Sequence, residues 1–385
     1  MVALTKPQLW EILPSLEYQL EGESESRFLS SSNTTCVISS AATRIVSDEV
    51  VESGSGGADS PPSRTLRPGG SFGPFRLIRL LGQGAQGEVW KARRQGRGER
   101  VVAIKVLSPC LTGQPNRLAQ FRREAERGFR LRGPALLRVV EFGELEGLPY
   151  MVMPYVEGVS LLEVIRARIA HRRGNPDHLS HVLIAADESS YQKSVCRIMA
   201  TTARALGRIH AARVVHRDIK PGNILLDGQS PCGVYLCDLG LGRDLEFATA
   251  EQMRDGAGTP MYMAPERLLR SQADEVLCDL YALGVTMFET FALARPFQPP
   301  ADLHMGFLPR FLATSQPRKL RQLNPEIPGE LEAIIMKAMS RRPQDRHHSA
   351  IELASELEQF LAVRKHVAGS ARSPHIQPAS RHLER

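Results

Sequence analysis

Paired cysteines are missing from this chain. Cys36, Cys110, Cys196, Cys232, Cys237 and Cys278 are scattered without a C-x-x-C pair, which speaks against a zinc ribbon or a disulfide framework and for buried free thiols in a reducing compartment. Long apolar runs are missing too: the longest, Tyr281 to Ala294, is broken by Glu289 and is too short to span a bilayer. The first twenty residues lack the basic flank and apolar stretch of a secretory signal. No internal repeat is found. The formal charge of +7 over 385 residues is a modest, dispersed excess, so no nucleic-acid partner is expected. A soluble protein of cytoplasmic location is the reading these absences leave, long enough for one large domain or two lobes.

Residues 1–70 are rich in Ser, Gly, Glu and Pro and read as a disordered tail. Within it, Leu9, Trp10, Ile12, Leu13 and Leu16 have the spacing of a short amphipathic helix or docking peptide, with an inconsequential solvated segment as the alternative. From Phe75 the pattern changes to short alternating runs punctuated by glycine. FRLIRLLGQG, GEVWKARR and ERVVAIKVL read as three antiparallel strands, AQFRREAERGFRLR as a charged helix, and LRVVEFGEL and LPYMVMPYV as two more strands. Beyond Gly158 the chain turns helical. Val195, Ile198, Met199, Thr202, Leu206 and Ile209 share one helix face, and residues 171–193 form a polar insertion longer than most connections. Helices are expected again in DLYALGVTMFETFALA, GELEAIIMKAM and SAIELASELEQFLAV, followed by a short basic tail over 366–385.

Gly82-Gln83-Gly84-Ala85-Gln86-Gly87, followed by Glu88 and Val89, is a G-x-G-x-x-G run. In a dinucleotide fold such glycines open a helix; here they lie between two strand-like runs and fit a hairpin whose backbone N–H groups cover phosphates. Lys105 ends Val102-Ala103-Ile104-Lys105, inside an apolar strand. It is either a snorkelling lysine or one that needs anionic partners, such as nucleotide phosphates and Glu124 on the next helix, with Glu126 as a neighbour on that helix. The strongest signal is His216-Arg217-Asp218-Ile219-Lys220-Pro221-Gly222-Asn223, followed by Cys237-Asp238-Leu239-Gly240.

With these three motifs in order, the sequence resembles the protein kinase superfamily, in particular the Ser/Thr branch as found in bacteria, over about Phe75 to Val363. The resemblance implies an α+β bilobal fold, with a β-rich lobe over 75–157, a helical lobe over 158–363, and ATP in the cleft between them. It implies that Asp218 accepts and orients the substrate hydroxyl, that Lys220 meets the transferring phosphate, and that Asn223 and Asp238 hold Mg2+. Lys105, paired with Glu124, would bind the α- and β-phosphates. Val89 and Ala103 would line the nucleotide site, with Met153 as gatekeeper and Val156 meeting the adenine. Phosphoryl transfer needs in-line positioning and positive charge on the equatorial oxygens, and magnesium needs oxygen ligands, which is what this set offers. Glu266 of Ala264-Pro265-Glu266 is expected to pair with Arg346, and Asp279 to open a buried helix.

Two departures stand out. D-F-G is D-L-G here, with Leu239 in the apolar slot, and Gly128 follows Glu124 by one turn, where it weakens the helix by up to about 1 kcal/mol. A mobile helix there would make activity depend on a partner, a dimer contact or phosphorylation. Arg217 beside Asp218 suits an activation-segment phosphate, with Thr249 as the candidate site and Thr259 as a contact of Asp218 and Lys220. The implied activity is transfer from Mg-ATP to protein Ser/Thr hydroxyls, with self-association for autophosphorylation. A pseudokinase scaffold and a small-molecule phosphotransferase are the alternatives.

Overall fold

The computed structural model describes residues 66–84, 86–96, 99–176, 178–228, 233–238, 260–300 and 302–370. The segment Leu9–Leu16, Ala85, Thr249 and Thr259 lie outside the described residues, as does the chain beyond Ser370.

Alternation of apolar and charged residues makes the first sheet. Strands β1 (Ser71–Phe72), β2 (Phe75–Gly84), β3 (Gly87–Arg94), β4 (Arg100–Leu107), β5 (Glu141–Leu145) and β6 (Leu148–Pro154) form an antiparallel sheet in the order β1-β2-β3-β4-β6-β5. Phe75, Leu77, Trp90, Ala92, Val102, Ile104 and Val106 turn to one side and are buried there with Phe72, Tyr150 and Val152. The rings of Phe72 and Phe75 meet Tyr150 edge-on at 5.8 and 5.9 Å, a favoured aromatic geometry. The expected tail is tied down at its last residues: Leu66 packs on this core, and Gly69 N donates to Leu77 O at 2.8 Å. Helices α1 (Pro109–Thr112) and α2 (Pro115–Arg130) follow β4, and α2 continues through the buried Gly128.

The remaining described residues form β7 (Gly158–Ser160), β8 (Ile224–Asp227) and β9 (Val234–Leu236), a three-stranded sheet, and eight α-helices. These are α3 (Leu161–Arg172), α4 (Glu188–Ala211), α5 (Pro265–Leu268), α6 (Glu275–Ala292), α7 (Leu308–Thr314), α8 (Leu320–Leu323), α9 (Gly329–Ala338) and α10 (Ala350–Ser370). All six residues predicted for the inner face of α4 are buried, and α10 packs along that helix. Helix α6 is buried nearly all round. Its Gly284 allows α9 to approach closely, because a Cβ there would lie 2.8 Å from Met339 Cγ and 3.0 Å from Ala338 Cβ.

Caps move the boundaries. Ser160 and Glu163 form a capping box on α3, and the Asp187 side chain accepts from Ser190 N at the start of α4, so helices claim both ends of the stretch expected as a 171–193 insertion. Only 173–187 lies between them. Asp274 likewise caps α6 and starts it four residues before Asp279.

The described residues divide into two compact units, one comprising those up to Glu126 with Val139–Tyr155, the other Arg127–Arg138 with those from Val156 onward. The segment 127–138 belongs to the second unit through β9: Leu236 N donates to Ala135 O, and Leu137 N to Leu236 O.

Candidate active site

In the first unit the glycine run is a hairpin between strands, as expected. Gly82 pairs with Val89, Gln83 with Glu88 and Gly84 with Gly87. Gly87 has φ +147°, and a Cβ there would meet Val106 O at 2.0 Å, so glycine is required. The adjacent Gln86 accepts from Ser108 N at 3.0 Å. Register puts Val89 opposite Lys105, Lys91 opposite Ala103 and Ala103 opposite Met153, so Val89, Ala103, Lys105 and Met153 share one face of the sheet. Lys105 Nζ stands 2.7 Å from Glu124 Oε1, with both side chains buried, while Glu126 is exposed. The ion pair supplies the compensation that a buried ammonium needs.

In the second unit one carboxylate of α6 shapes a loop. Asp279 accepts from the backbone N–H of His216 and of Arg217, both at 2.7 Å, and lies 2.9 Å from His210 Nε2. Arg217 is held with φ +67°. His216 is buried; its Nδ1 accepts from Asp218 N at 3.3 Å and its Nε2 donates to Cys237 O at 3.1 Å. That pattern assigns the neutral Nε2–H tautomer, in keeping with burial pulling its pKa down against the nearby Asp279 and Asp218 carboxylates.

The loop brings Asp218, Lys220 and Asn223 together. Lys220 Nζ is 3.0 Å from Asp218 Oδ2, and Asn223 Nδ2 donates to that same oxygen at 2.9 Å and to Asp218 O at 2.8 Å. Burial opposes ionisation of Asp218, but the Lys220 ammonium and the Asn223 hydrogen bond outweigh it and leave the pKa below the usual carboxylate range. With its amide N–H groups turned to Asp218, Asn223 offers its carboxamide oxygen elsewhere. Cys237 N donates to Asn223 O at 3.0 Å, which sets Asp238 beside this loop, with φ +49°.

Supporting pairs surround it. Glu266 and Arg346 form a bidentate pair at 2.7 and 2.9 Å, and Arg346 also donates to Ser340 O, Leu277 O and Arg341 O. Two contacts escaped the sequence reading. Arg217 Nε donates to Glu275 Oε2 at 3.0 Å, and Tyr262 Oη donates to the buried Glu289. The signal for the second was Glu289 itself, an acid interrupting an apolar run; the first left none.

The protein kinase domain family matches residues 75–357. The chain belongs to the protein kinase family. This kinase is 32% identical over 313 residues to the tyrosine-protein kinase MasK of Myxococcus xanthus, covering 79% of this chain and 45% of MasK. It is 32% identical over 296 residues to the serine/threonine-protein kinase PknE of Mycobacterium tuberculosis, covering 77% of this chain and 48% of PknE. The solved kinase domain of Mycobacterium tuberculosis PknI shares 27% identity at a TM-score of 0.54, covering 77% of this chain and 99% of that one. The expected bacterial eukaryotic-like kinase and its α+β fold are thus found. The kinase spans about half the length of the curated relatives it matches, and no helix among its described residues is long and apolar enough to cross a membrane.

Proposed function

We propose that this kinase transfers the γ-phosphoryl group of Mg-ATP to serine and threonine hydroxyls of proteins, itself included, in the cytoplasm. The observation that carries the reading is the Asp218 carboxylate, held ionised between Lys220 Nζ and Asn223 Nδ2. A carboxylate fixed in this way accepts and aims a hydroxyl, while the adjacent ammonium neutralises charge on the phosphoryl oxygens as the bond to the leaving group loosens. Asn223 and Asp238 offer oxygen donors only, which suits a hard divalent cation. Bound Mg2+ would supply charge neutralisation of the phosphates. Lys105, kept in place by Glu124, would hold the α- and β-phosphates under the Gly82–Gly87 hairpin, with Val89, Ala103 and Met153 beside the adenine. Autophosphorylation of one copy by another would bring two chains together, so self-association belongs to the reading.

The test is transfer of labelled γ-phosphate to the chain and to a basic protein acceptor, with Asp218→Asn as control. Label on Ser/Thr that falls by 1000-fold or so in the variant is expected, a barrier increase of about 4 kcal/mol. Folded, ATP-binding protein that transfers nothing would favour the pseudokinase scaffold, against which stands the presence of Lys105, Asp218 and Asp238 together. The name of MasK favours a second reading, a tyrosine acceptor. Phosphoamino-acid analysis of the labelled product separates the two: phosphotyrosine as the main product replaces the first reading.

A further inference from the structure

The sheet face that carries Val89, Ala103 and Lys105 continues into two rows of like charge. Arg76 stands directly opposite Arg93, and Arg79 directly opposite Lys91, while Val101 lies opposite Arg93 on β4. Like charges placed opposite each other across strands repel. Among the described residues, the one carboxylate paired with any of these four cations is Glu99, 3.5 Å from Arg93 and well exposed, an arrangement worth little in water. Arg79 and Lys91 lean on Tyr155 instead, the guanidinium 3.5 Å from its hydroxyl and the ammonium 4.1 Å from its ring centroid. Apolar surface is interspersed: Val101 and Ile78 are each 38% exposed, Ile78 at the register shift between Leu77 and Arg79. The face has the character of half an interface, cationic and partly apolar, without its acidic counterpart.

The counterpart is in the same chain. Between Lys6 and Arg27 there are five glutamates, Glu11, Glu17, Glu21, Glu23 and Glu25, and no lysine or arginine. Leu9, Trp10, Ile12, Leu13 and Leu16 stand among and before them. Residues 1–65 hold nine acidic and four basic residues, a net charge of −5 in a chain whose total is +7. The chain also enters the fold along β2, the strand that carries Arg76 and Arg79, since Leu77 N donates to Gly70 O at 2.9 Å, with Leu66 packed on the opposite, core side of the sheet. Residues 26–65 could span at most about 130 Å, many times the length of a strand, so the tether does not limit the contact.

We propose that the segment Leu9–Glu25 docks on the sheet face formed by Arg76, Arg79, Lys91, Arg93, Ile78 and Val101 of its own chain. Its glutamates neutralise the opposed cations, and its leucines and Trp10 cover the exposed aliphatic surface. Attachment through the chain raises the effective concentration, so weak contacts suffice. The proposal does not depend on phosphoryl transfer.

Carbodiimide treatment of the full chain tests it, because the reagent joins a carboxylate to a lysine amine with loss of water and Lys91 is the lysine among the six residues of the proposed docking surface. Equal amounts of isotopically heavy and light chain are mixed before treatment and read by mass spectrometry. A link between Lys91 and a glutamate of 11–25 within one chain is expected. It should lose most of its yield in Arg76→Glu/Arg93→Glu and regain it when Glu17→Lys/Glu21→Lys is added, a rescue that misfolding of the first variant could not produce. No link, a link that survives the charge reversal, or a mixed heavy–light link, which would mean a second copy as the occupant, overturns the proposal.

Discussion

Glu289 lies 6% exposed on α6, hydrogen-bonded by Tyr262 and 3.5 Å from Arg295 Nε. Burial pushes its carboxyl up to about 7, against the lowering effects of the Tyr262 hydrogen bond and the Arg166 charge. The native chain therefore keeps a proton that the unfolded chain has released between about pH 4.5 and 7, and stability falls as pH rises through that window, by about 3 kcal/mol in all. Glu289→Gln has no proton to lose. Its melting temperature is expected to match or trail wild type near pH 5 and to exceed it at pH 8; equal pH slopes for the two proteins would remove Glu289 as the source. Glu266 has the opposite sign. Burial raises its pKa less than Arg346 and the surrounding hydrogen bonds lower it, so its contribution is present above the ordinary carboxylate range and fades as pH falls below it.

At the scale of elements, the segment between α3 and α4 is held by one arginine. Arg168, 3% exposed, donates through Nη1 to Leu183 O, Ile184 O and Ala186 O at 2.8, 3.1 and 2.9 Å, and through Nη2 to Glu188 at 3.1 Å, with its guanidinium 3.8 Å from the Tyr191 ring centroid. Arg168→Ala takes the shared donor from three carbonyls, while Glu188 keeps Arg172, Gln192 and Asn324. A loss of about 3 kcal/mol is expected from the orphaned buried carbonyls, together with faster amide hydrogen exchange confined to residues 180–190. Unchanged exchange there would mean that the segment stands without its clasp. Nothing in the order of residues marks Arg168 as turned inward: on a helix as basic as α3 it reads like Arg166 and Arg172. The strands and the glycine hairpin were legible for the converse reason, since period-two alternation and glycines between strands act over a few neighbouring residues. The candidate site was legible to the same degree, through motifs whose members are close in sequence. Glu275 on Arg217 and Asp279 on two loop amides join positions roughly sixty residues apart, a kind of contact that pattern does not carry. The caps Asp187 and Asp274 were visible as residue types, and reading them as helix starts would have placed α4 and α6 correctly.

For the whole molecule, each compact unit has its own buried core, one around Phe72, Phe75, Trp90 and Tyr150, the other around α4 and α6. Calorimetry of the full chain should therefore depart from a single two-state transition, with a calorimetric enthalpy exceeding the van't Hoff value; equality of the two would show that the units unfold as one. Charge is divided as unevenly as structure, since the excess of cations lies wholly after residue 65. The division of the motifs follows the units as well: Gly82–Gly87, Lys105 and Glu124 belong to the first, and Asp218, Lys220, Asn223 and Asp238 to the second.

Asp279 gives this layout a practical corollary. Its two carboxylate oxygens grip consecutive backbone amides of the loop that presents Asp218, so the loop's shape is stored in a helix more than fifty residues downstream. The segment His216–Asn223 is for that reason not a portable cassette: grafted onto another scaffold without a buried acid at the matching height, it would keep its letters and lose its geometry.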